Sequence, residues 1–493
     1  SEMCIRDSNN ITTNPDDNKD HWGGIFSENG YVYNTGDINI ISSGKYGKGI
    51  MSCVVSVYNP DNTACIVNAA NPVAGDIYNA GNITIAADQS MGIFSSTTNQ
   101  ITNSGKITMT GDNNSGIWVL GKGNVTNNGQ IILTGTNDTF LAGAMTAVWI
   151  SEGGNIVNNG EIKVTSAGSG GIGVYTKDGS ISNNGKITLS GGGTAVKVYK
   201  GDVTNNGSIE VEGSGGIGIK VDNSGKVVNN NNIKVTNGTA GIKGAGDEII
   251  NAKGAIITTI GSGTGILTDG NVTNNGMINA AGAGISGAEV TNSETGMIIA
   301  GSTGISGSTV TNDGIIEAST GISASSQGIN NGTITSKGTA MNGGTSGSLE
   351  NKGTIKAGQT TTATAMITKS GDLTNSGTII NSGTVMDSQS GTITNSGNIS
   401  NEGTFSTWDE ATLQTNTGTI TNEGSVITNI LGVLGYMTSQ TTDGETTYTP
   451  ATLTFTNSGT LTVNNGNAGV YVAGGHLETD DDGNVTGKTE STL

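Results

Sequence analysis

Aromatic side chains are scarce in this chain, and the shortage excludes a conventional globular core. They make up 4% of the 493 residues, and apolar residues make up only 33%, while glycine alone takes 82 positions. That side-chain volume cannot fill several round cores. The longest apolar stretch, residues 426–437, is broken by Thr428, Asn429 and two glycines and is too short to span a bilayer. We therefore expect a narrow core and no membrane insertion of this segment.

Basic residues are scarce as well. The chain has 21 Lys and Arg residues against 40 Asp and Glu residues, a formal net charge of −19, and Arg6 is its only arginine. Binding to nucleic acid needs clustered Lys and Arg that neutralise phosphates. Nucleic acid is therefore excluded as a partner, and an anionic membrane would repel the chain. Charged residues are 12% of the total, so the surface consists mainly of hydroxyl and amide groups, as is common in exported proteins.

A repeated Asn-x-Gly motif, followed two residues later by Ile in most copies, organises the chain. The first copies are residues 34–38 and 79–83. The steps between successive motif glycines are mostly short, from Gly296 to Gly314 at the lower end to Gly160 to Gly185 at the upper end. Periods of this size indicate stacked supersecondary units. Asn231 takes the glycine position in one copy. The motif glycines are Gly36, Gly81, Gly105, Gly129, Gly160, Gly185, Gly207, Gly254, Gly276, Gly296, Gly314, Gly332, Gly353, Gly377, Gly397, Gly418 and Gly459.

A second signature in each repeat is Gly or Ala directly before an apolar residue, which indicates two or three short strands per repeat. Examples are Gly116-Ile117, Gly171-Ile172, Ala195-Val196 and Gly216-Ile217. Coils this short cannot fold back on themselves, so consecutive repeats must pair strand on strand, in parallel and in register. The pattern predicts an all-β fold, a right-handed parallel β-helix (β-solenoid) of about twenty coils.

Two other folds compete with the right-handed β-helix. A flexible Gly/Asn-rich linker would not space apolar residues so regularly. The shortest coils, such as the one from Gly296 to Gly314, also suit a left-handed hexapeptide helix. The variable coil length, which reaches that of the step from Gly160 to Gly185, favours the right-handed form.

The chemistry of the motif suits the corner of a coil. We expect its glycines, and Asn231 in their place, to adopt positive φ where the chain turns. The asparagines, stacked at one site per coil, should hydrogen-bond to one another along the axis, as amide ladders do in stacked parallel sheets. Around Gly377, Gly397 and Gly418 the motif doubles at six-residue spacing. Two corners of one coil should then carry the same turn.

Departures from the repeat mark loops and ends. Insertions in a solenoid are extruded as loops. The sequence places them at residues 43–76, 134–146, 404–415 and 428–452. We predict three parts: an irregular or artefactual N-terminal segment (1–23), one continuous β-helix (24–473) and a polar acidic tail (474–493).

Three cysteines are present, and two of them lie inside the first insertion. Cys53 and Cys65 flank the turn-forming residues 59–62, so we expect a local disulfide between them in an oxidising compartment. The alternative is a pair of free thiols.

The repeat (Val/Ile)-Thr-Asn-(Asn/Ser)-Gly-x-Ile, as in residues 125–131 and 203–209, resembles the passenger of large type V autotransporter adhesins, with those of fusobacteria and related Gram-negative bacteria most similar. The resemblance covers roughly residues 30–470 and rests on repeat style. It implies an extracellular protein, displayed on the bacterial outer membrane surface, that attaches to a protein or glycan of host or bacterial cells. The family also has a C-terminal β-barrel translocator, which we expect to be absent from this sequence, because nothing near Leu493 has aromatic-girdled alternating strands.

Two other functions remain open beside adhesion. The first is a structural stalk that presents a missing tip domain. The second is an enzyme, since parallel β-helices include polysaccharide lyases and hydrolases, which need clustered carboxylates or a base beside a metal or a guanidinium. His21 and His476 lie near opposite ends, and the acidic run Asp480–Asp482 lacks the ligand spacing of a calcium loop. We therefore expect no catalytic residue, no cofactor and no metal.

The candidate ligand contact comes from side-chain alternation in the second signature. If Ile117, Val148 and Ile172 point inward, the next residue points outward. In three successive coils that residue is Phe94, then Trp118, then Trp149, and two residues further along the following coils present Tyr175 and Tyr199. Coils about 5 Å apart would stack these rings into a stripe for a sugar face or an apolar protein surface. The competing interpretation is that the rings only stabilise the sheet.

Overall fold

The computed structural model describes residues 11–13, 24–28, 31–41, 45–53, 75–96, 100–137, 145–168, 170–358, 363–404, 410–442, 445–464, 468–473, 477–479 and 485–488. Within these ranges every regular element is a β-strand, and no helix is long and apolar enough to cross a membrane. The chain divides into two compact units, Ser1–Asn271 (unit 1) and Val272–Leu493 (unit 2). Each is described by itself.

A coil consists of three short strands, and each strand pairs in parallel with its equivalents in the neighbouring coils. One coil contains Met91–Ser95, Gln100–Asn103 and Lys106–Met109. In its successor Ile117 pairs with Ile93 on one side and with Val148 on the other. The chain is therefore a parallel β-helix, as the sequence predicts. The right-handed sense agrees with the rule that parallel crossovers are right-handed.

In unit 1 the three strands of a coil are called its first, second and third strand. First strands are Ile25–Glu28, Lys48–Cys53, Met91–Ser95, Ser115–Val119, Thr146–Ile150, Gly171–Asp178, Gly193–Lys200, Ile217–Ser224, Ala240–Gly244 and Thr264–Thr268. Second strands are Val32–Asn34, Ile77–Asn79, Gln100–Asn103, Asn124–Asn127, Ile156–Asn158, Ile181–Asn183, Val203–Asn205, Lys226–Asn229 and Glu248–Asn251. Third strands are Ile11–Thr13, Ile38–Ile40, Ile83–Ile85, Lys106–Met109, Gln130–Asn137, Glu161–Gly168, Lys186–Ser190, Ser208–Glu212, Asn232–Thr236 and Ile256–Ile260.

Unit 2 repeats this plan, except that two long strands, Thr303–Asn312 and Thr320–Asn330, each serve as first and second strand together. Its other first strands are Ile285–Ser286, Met341–Asn342, Met366–Thr368, Met386–Ser388, Ala411–Thr415, Leu431–Gly435 and Val470–Val472. Its other second strands are Asn271–Asn274, Glu289–Asn292, Ser348–Asn351, Leu373–Asn375, Thr392–Asn395, Thr417–Asn422 and Thr452–Asn457. Third strands are Met277–Ala280, Met297–Ala300, Ile315–Ala318, Thr333–Ser336, Thr354–Ala357, Thr378–Asn381, Asn398–Asn401, Ser425–Thr428 and Thr460–Val463.

The core is a stack of β-branched residues, one layer per coil. In the third strands Ile107 pairs with Ile83 and with Ile131, and none of the three has exposed surface. Full burial of such a side chain contributes about 1.5–3 kcal/mol. A narrow core therefore reaches a useful stability by repetition, which explains how a chain so poor in aromatics folds.

The motif asparagines form the predicted amide ladder, and it is buried. Within each unit, the Nδ2 of every ladder asparagine before the last donates to the Oδ1 of the asparagine one coil further along, at 2.7–2.9 Å. Most of their backbone carbonyls also accept two amides from the next coil, as Asn103 does from Asn128 and Gly129 (2.7 and 3.0 Å). The buried ladder residues are Asn34, Asn79, Asn103, Asn127, Asn158, Asn183, Asn205, Asn229 and Asn251 in unit 1, and Asn274, Asn292, Asn312, Asn330, Asn351, Asn375, Asn395 and Asn422 in unit 2. The ladder of unit 2 ends at Asn457, which is exposed.

The expected reason for the motif glycines is wrong. Gly254 is the only motif glycine with a positive φ (83°), and the φ of Asn231 is negative like that of the other motif glycines. The glycines are required by close approach instead: a Cβ on Gly129 would overlap the carbonyl oxygen of Gly105, and a Cβ on Gly105 that of Gly81. Glycine thus lets the corners of successive coils stack directly on one another.

The doubled motif is correct in two coils and wrong in the third. Asn381 and Asn401 end third strands and are buried, so two corners of their coils carry an asparagine. In the third coil the ladder continues from Asn395 to Asn422, which makes Gly424 the motif glycine in place of Gly418. Asn416 donates instead to the carbonyl oxygen of Tyr436 (2.5 Å).

The predicted insertions contain coil strands at their edges. Lys48–Cys53, Ala411–Thr415 and Leu431–Gly435 all pair within the helix. The last insertion does leave the coil, since Thr438–Thr442 and Glu445–Thr449 form an antiparallel hairpin. Cys65 lies outside the described residues, so the disulfide with Cys53 stays a prediction.

The predicted domain boundaries also stay predictions. Ile11–Thr13, inside the segment expected to be irregular, pairs in parallel with Ile38–Ile40. In the tail, Leu477–Thr479 and Val485–Lys488 pair as an antiparallel hairpin.

Candidate ligand-binding surface

The predicted aromatic residues lie on the first strands of unit 1, pointing away from the core. Phe94 pairs with Trp118, and Trp118 pairs with Trp149, so the three share one outward position in consecutive coils. The residues before them, Ile93, Ile117 and Val148, are fully buried. We call this outward position the aromatic column.

The predicted register is wrong by two residues in the next coil and correct in the coil after it. Val174, and not Ile172, pairs with Val148, so Tyr175 pairs directly with Trp149 and belongs to the aromatic column. Tyr199 lies two residues beyond the column, since Lys197 is the partner of Tyr175. The error has a simple source: Gly171-Ile172 and Gly173-Val174 both fit the sequence signature, and only the pairing distinguishes them.

The rings form two contacting pairs. Phe94 and Trp118 meet edge to face, with centroids 6.0 Å apart, and Trp149 and Tyr175 are tilted by 34° with centroids 4.2 Å apart. Both indole nitrogens donate to Oγ of Ser151, at 3.0 Å from Trp118 and 2.7 Å from Trp149. One hydroxyl therefore fixes the orientation of both indoles.

Exposure differs along the column and defines which rings a ligand can reach. Phe94 is only 7% exposed and packs with Met51, against which Phe26 and Trp118 also lie. Trp118, Trp149 and Tyr175 are half-buried and present ring surface to solvent. Tyr199 is 45% exposed. Phe94 thus supports the column by packing, and the accessible surface begins at Trp118.

A cluster of charges borders the column at Tyr175. Lys197 Nζ lies 5.6 Å from the centre of the Tyr175 ring and 3.5 Å from the carboxylate of Asp222. Burial raises the pKa of the Tyr175 phenol, and the nearby Asp222 carboxylate and Tyr199 phenol act in the same direction. The hydroxyl therefore remains a hydrogen-bond donor at neutral pH.

Lysines continue the same column beyond Tyr175. Lys197 pairs with Lys220, and Lys220 with Lys243. The regular spacing of the three could have revealed the continuation.

Unit 2 contains a separate half-buried carboxyl, which sequence reasoning missed. Asp387 accepts hydrogen bonds from the Tyr436 hydroxyl (3.1 Å) and from Gln414 Nε2 (3.0 Å). Burial raises the pKa of Asp387, while the two hydrogen bonds partly oppose the shift. In the described part of the chain no group of three or more His, Cys, Asp or Glu side chains could hold a metal ion.

Comparison with known proteins gives one family. The family model of the BigA third pectate lyase-like domain matches residues 5–202, less than half of the chain. Pectate lyase-like domains are parallel β-helices, so the match agrees with the observed fold. No curated protein and no solved structure matches the chain significantly. The first seven coils of unit 1, including Trp118, Trp149 and Tyr175, are thus similar to a BigA pectate lyase-like domain.

Proposed function

We propose that the chain is an extracellular adhesin, displayed on the bacterial outer membrane surface, and that Trp118, Trp149 and Tyr175 contact a protein or glycan on host or bacterial cells. The main support is the aromatic column itself. A chain with 4% aromatic residues has three accessible rings at one outward position in consecutive coils. Rings about 4.8 Å apart along the axis make a continuous apolar strip with polar edges.

The family match supports the same function. BigA is an autotransporter-type adhesin, and the matched segment contains all the aromatic residues of the column, Phe94, Trp118, Trp149 and Tyr175. The competing function is a stalk in which the rings only stabilise the sheet, each cross-strand pair contributing roughly 0.2–1 kcal/mol. The burial of Phe94 and the shared hydrogen bond to Ser151 fit that role too, so mutation has to separate the two.

The test compares beads coated with the chain for attachment to epithelial cells and to bacteria. Trp118→Ser with Trp149→Ser should reduce attachment at least tenfold while the β-sheet circular dichroism spectrum stays unchanged. The matched control is Tyr33→Ser with Tyr78→Ser, which removes a stacked pair of rings (4.9 Å between centroids) from the second strands. Full attachment by the folded tryptophan variant would favour the stalk.

We also propose that the chain is not an enzyme. Arg6 is the only arginine in the sequence, so the later coils contain no guanidinium that could assist a general base. Asp387, the best-placed general acid, is already held by Tyr436 and Gln414. Prolonged incubation with acidic and neutral polysaccharides should release no reducing ends and no unsaturated products. Product formation that Asp387→Asn abolishes would overturn this proposal.

A further inference from the structure

We infer that the ligand of the aromatic column is an acidic glycan, whose sugar rings stack on Trp118, Trp149 and Tyr175 and whose carboxylates or sulfates bind Lys220 and Lys243. The inference rests on the proposed function and specifies the chemistry of the same surface. It comes from the order of residues along one outward column.

Six consecutive coils contribute to that column without a break in register. Trp118 pairs with Trp149, Trp149 with Tyr175, and Tyr175 with Lys197. Lys220 and Lys243 then follow. At about 4.8 Å per coil the column extends over about 24 Å, with aromatic rings in one half and ammonium groups in the other. The coil spacing is close to the length of one hexose unit, whereas an extended peptide advances about 3.3 Å per residue.

The lysines are unusual for this chain and unfavourable for the sheet. The molecule has a net charge of −19 and only 21 basic residues, yet three of them occupy successive positions of one column. Like charges directly opposite each other on neighbouring strands destabilise a sheet. The mutual repulsion of the three lysines therefore works against folding, and an anionic ligand would reduce it.

Neighbouring carboxylates neutralise the column only in part. Asp222 lies 2.6 Å from Lys220 and 3.5 Å from Lys197, so it is shared between them. No ion pair involves Lys243 within the residues that the structure describes. Three lysines against two nearby aspartates, Asp222 and Asp269, still leave a net positive charge, and the Lys243 ammonium lies at the far end from the rings.

A surface groove lies beside this end of the column. It has a volume of about 400 Å³ and is lined by Lys220, Asp222, Lys243, Leu267 and Asp269, among others. Leu267 is the next residue of the column after Lys243. Two lysines and two aspartates line the groove, and Lys243, which has no ion pair among the described residues, offers its ammonium to one charged sugar substituent.

The test measures the binding of hyaluronan and heparin oligosaccharides by calorimetry, with methyl-esterified hyaluronan oligosaccharides of equal length as the uncharged counterpart. The acidic oligosaccharides should bind at least tenfold more tightly than the ester, and their affinity should fall as salt is raised. Lys220→Gln with Lys243→Gln should lose about tenfold in affinity for the acidic forms, as expected when charged hydrogen bonds are removed. The matched control is Lys163→Gln with Lys234→Gln, two exposed lysines of the third strands, which should bind as the unchanged protein does.

The outcomes separate the inference from the proposed function. Equal binding of acid and ester, no binding of any acidic oligosaccharide, or unchanged binding by the Lys220/Lys243 variant would overturn the acidic glycan, even if the tryptophan variant loses cell attachment. If polyglutamate binds as tightly as the acidic oligosaccharides, the inference of a glycan ligand is wrong and the ligand is an acidic peptide. Full cell attachment by the tryptophan variant would instead contradict the proposed role of the aromatic column in adhesion.

Discussion

Replacing Asn183 by alanine should destabilise unit 1 far more than the same change at its neighbour Asn184. Asn183 Nδ2 donates to Asn205 Oδ1, and its Oδ1 accepts from Asn158 Nδ2, both at 2.8 Å and fully buried. Asn184 makes the equivalent pair of hydrogen bonds with Asn159 and Asn206, but on the exposed side of the corner. The two changes therefore delete the same number of hydrogen bonds in different surroundings.

The magnitude follows from the partners that are left behind. Asn183→Ala leaves the Asn205 Oδ1 acceptor and one hydrogen of Asn158 Nδ2 buried without a partner, and each such group costs about 1–3 kcal/mol. Two of them lower the free energy of unfolding by about 4 kcal/mol. After Asn184→Ala water replaces the missing amide, so the loss should stay within about 0.5 kcal/mol.

Guanidinium denaturation and amide hydrogen exchange measure this difference. Repeat proteins can open locally, so exchange at Asn206 and Gly207, whose amides donate to the Asn183 carbonyl oxygen, reports on the site directly. A loss of about 4 kcal/mol corresponds to exchange on the order of a thousandfold faster if it acts on local opening. Equal effects of the two substitutions would refute the reasoning that burial gives the ladder its stabilising role.

Three further predictions concern the corners, the buried carboxyl and the cysteines. Gly129→Ala should lower the free energy of unfolding by about 3 kcal/mol or abolish folding, because the new Cβ meets a backbone oxygen of the previous coil. Gly469→Ala, whose Cβ would have its nearest neighbour at 4.0 Å, should lower it by less than about 0.5 kcal/mol. Thermal unfolding measures both. Because the pKa of Asp387 is raised, the folded state binds its proton more tightly than the unfolded state does, so the stability of unit 2 should fall as pH rises from 3.8 upward. When the free energy of unfolding is plotted against pH, Asp387→Asn should lack this decrease. Peptide mapping of native protein should find Cys53 linked to Cys65; free thiols at both would contradict the disulfide.

The fold was predictable because it depends on local spacing that repeats. The Asn-x-Gly motif recurs once in most coils and marks the same corner in nearly all of them, and the buried ladder from Asn34 to Asn251 follows the predicted asparagines one by one. The role of the motif glycines was not predictable, because close approach to the coil before depends on how corners stack. A position that needs a positive φ and a position with no room for a Cβ both require glycine, so the sequence alone does not distinguish the two reasons.

The candidate site could be predicted only in those coils whose strand register could be read from the sequence. Phe94, Trp118 and Trp149 follow a Gly or Ala and a β-branched residue at corresponding positions of their coils, so the sequence aligned them correctly. Tyr175 was misplaced because the coil offers two glycines before apolar residues. The burial of Phe94 could not be foreseen, because Met51 packs against it from the preceding coil, within the segment that the sequence assigned to the first insertion.

Hydroxyl-radical footprinting of the chain bound to cells tests the central claim most directly, because it reports on side-chain exposure without mutation. If the aromatic column contacts the ligand, oxidation of Trp118, Trp149 and Tyr175 should fall severalfold on attachment. Oxidation of Tyr33 and Tyr78, which lie on the second strands with Tyr33 42% exposed in the free protein, should not change. Protection of these two tyrosines with unchanged oxidation of Trp149 and Tyr175 would contradict the account.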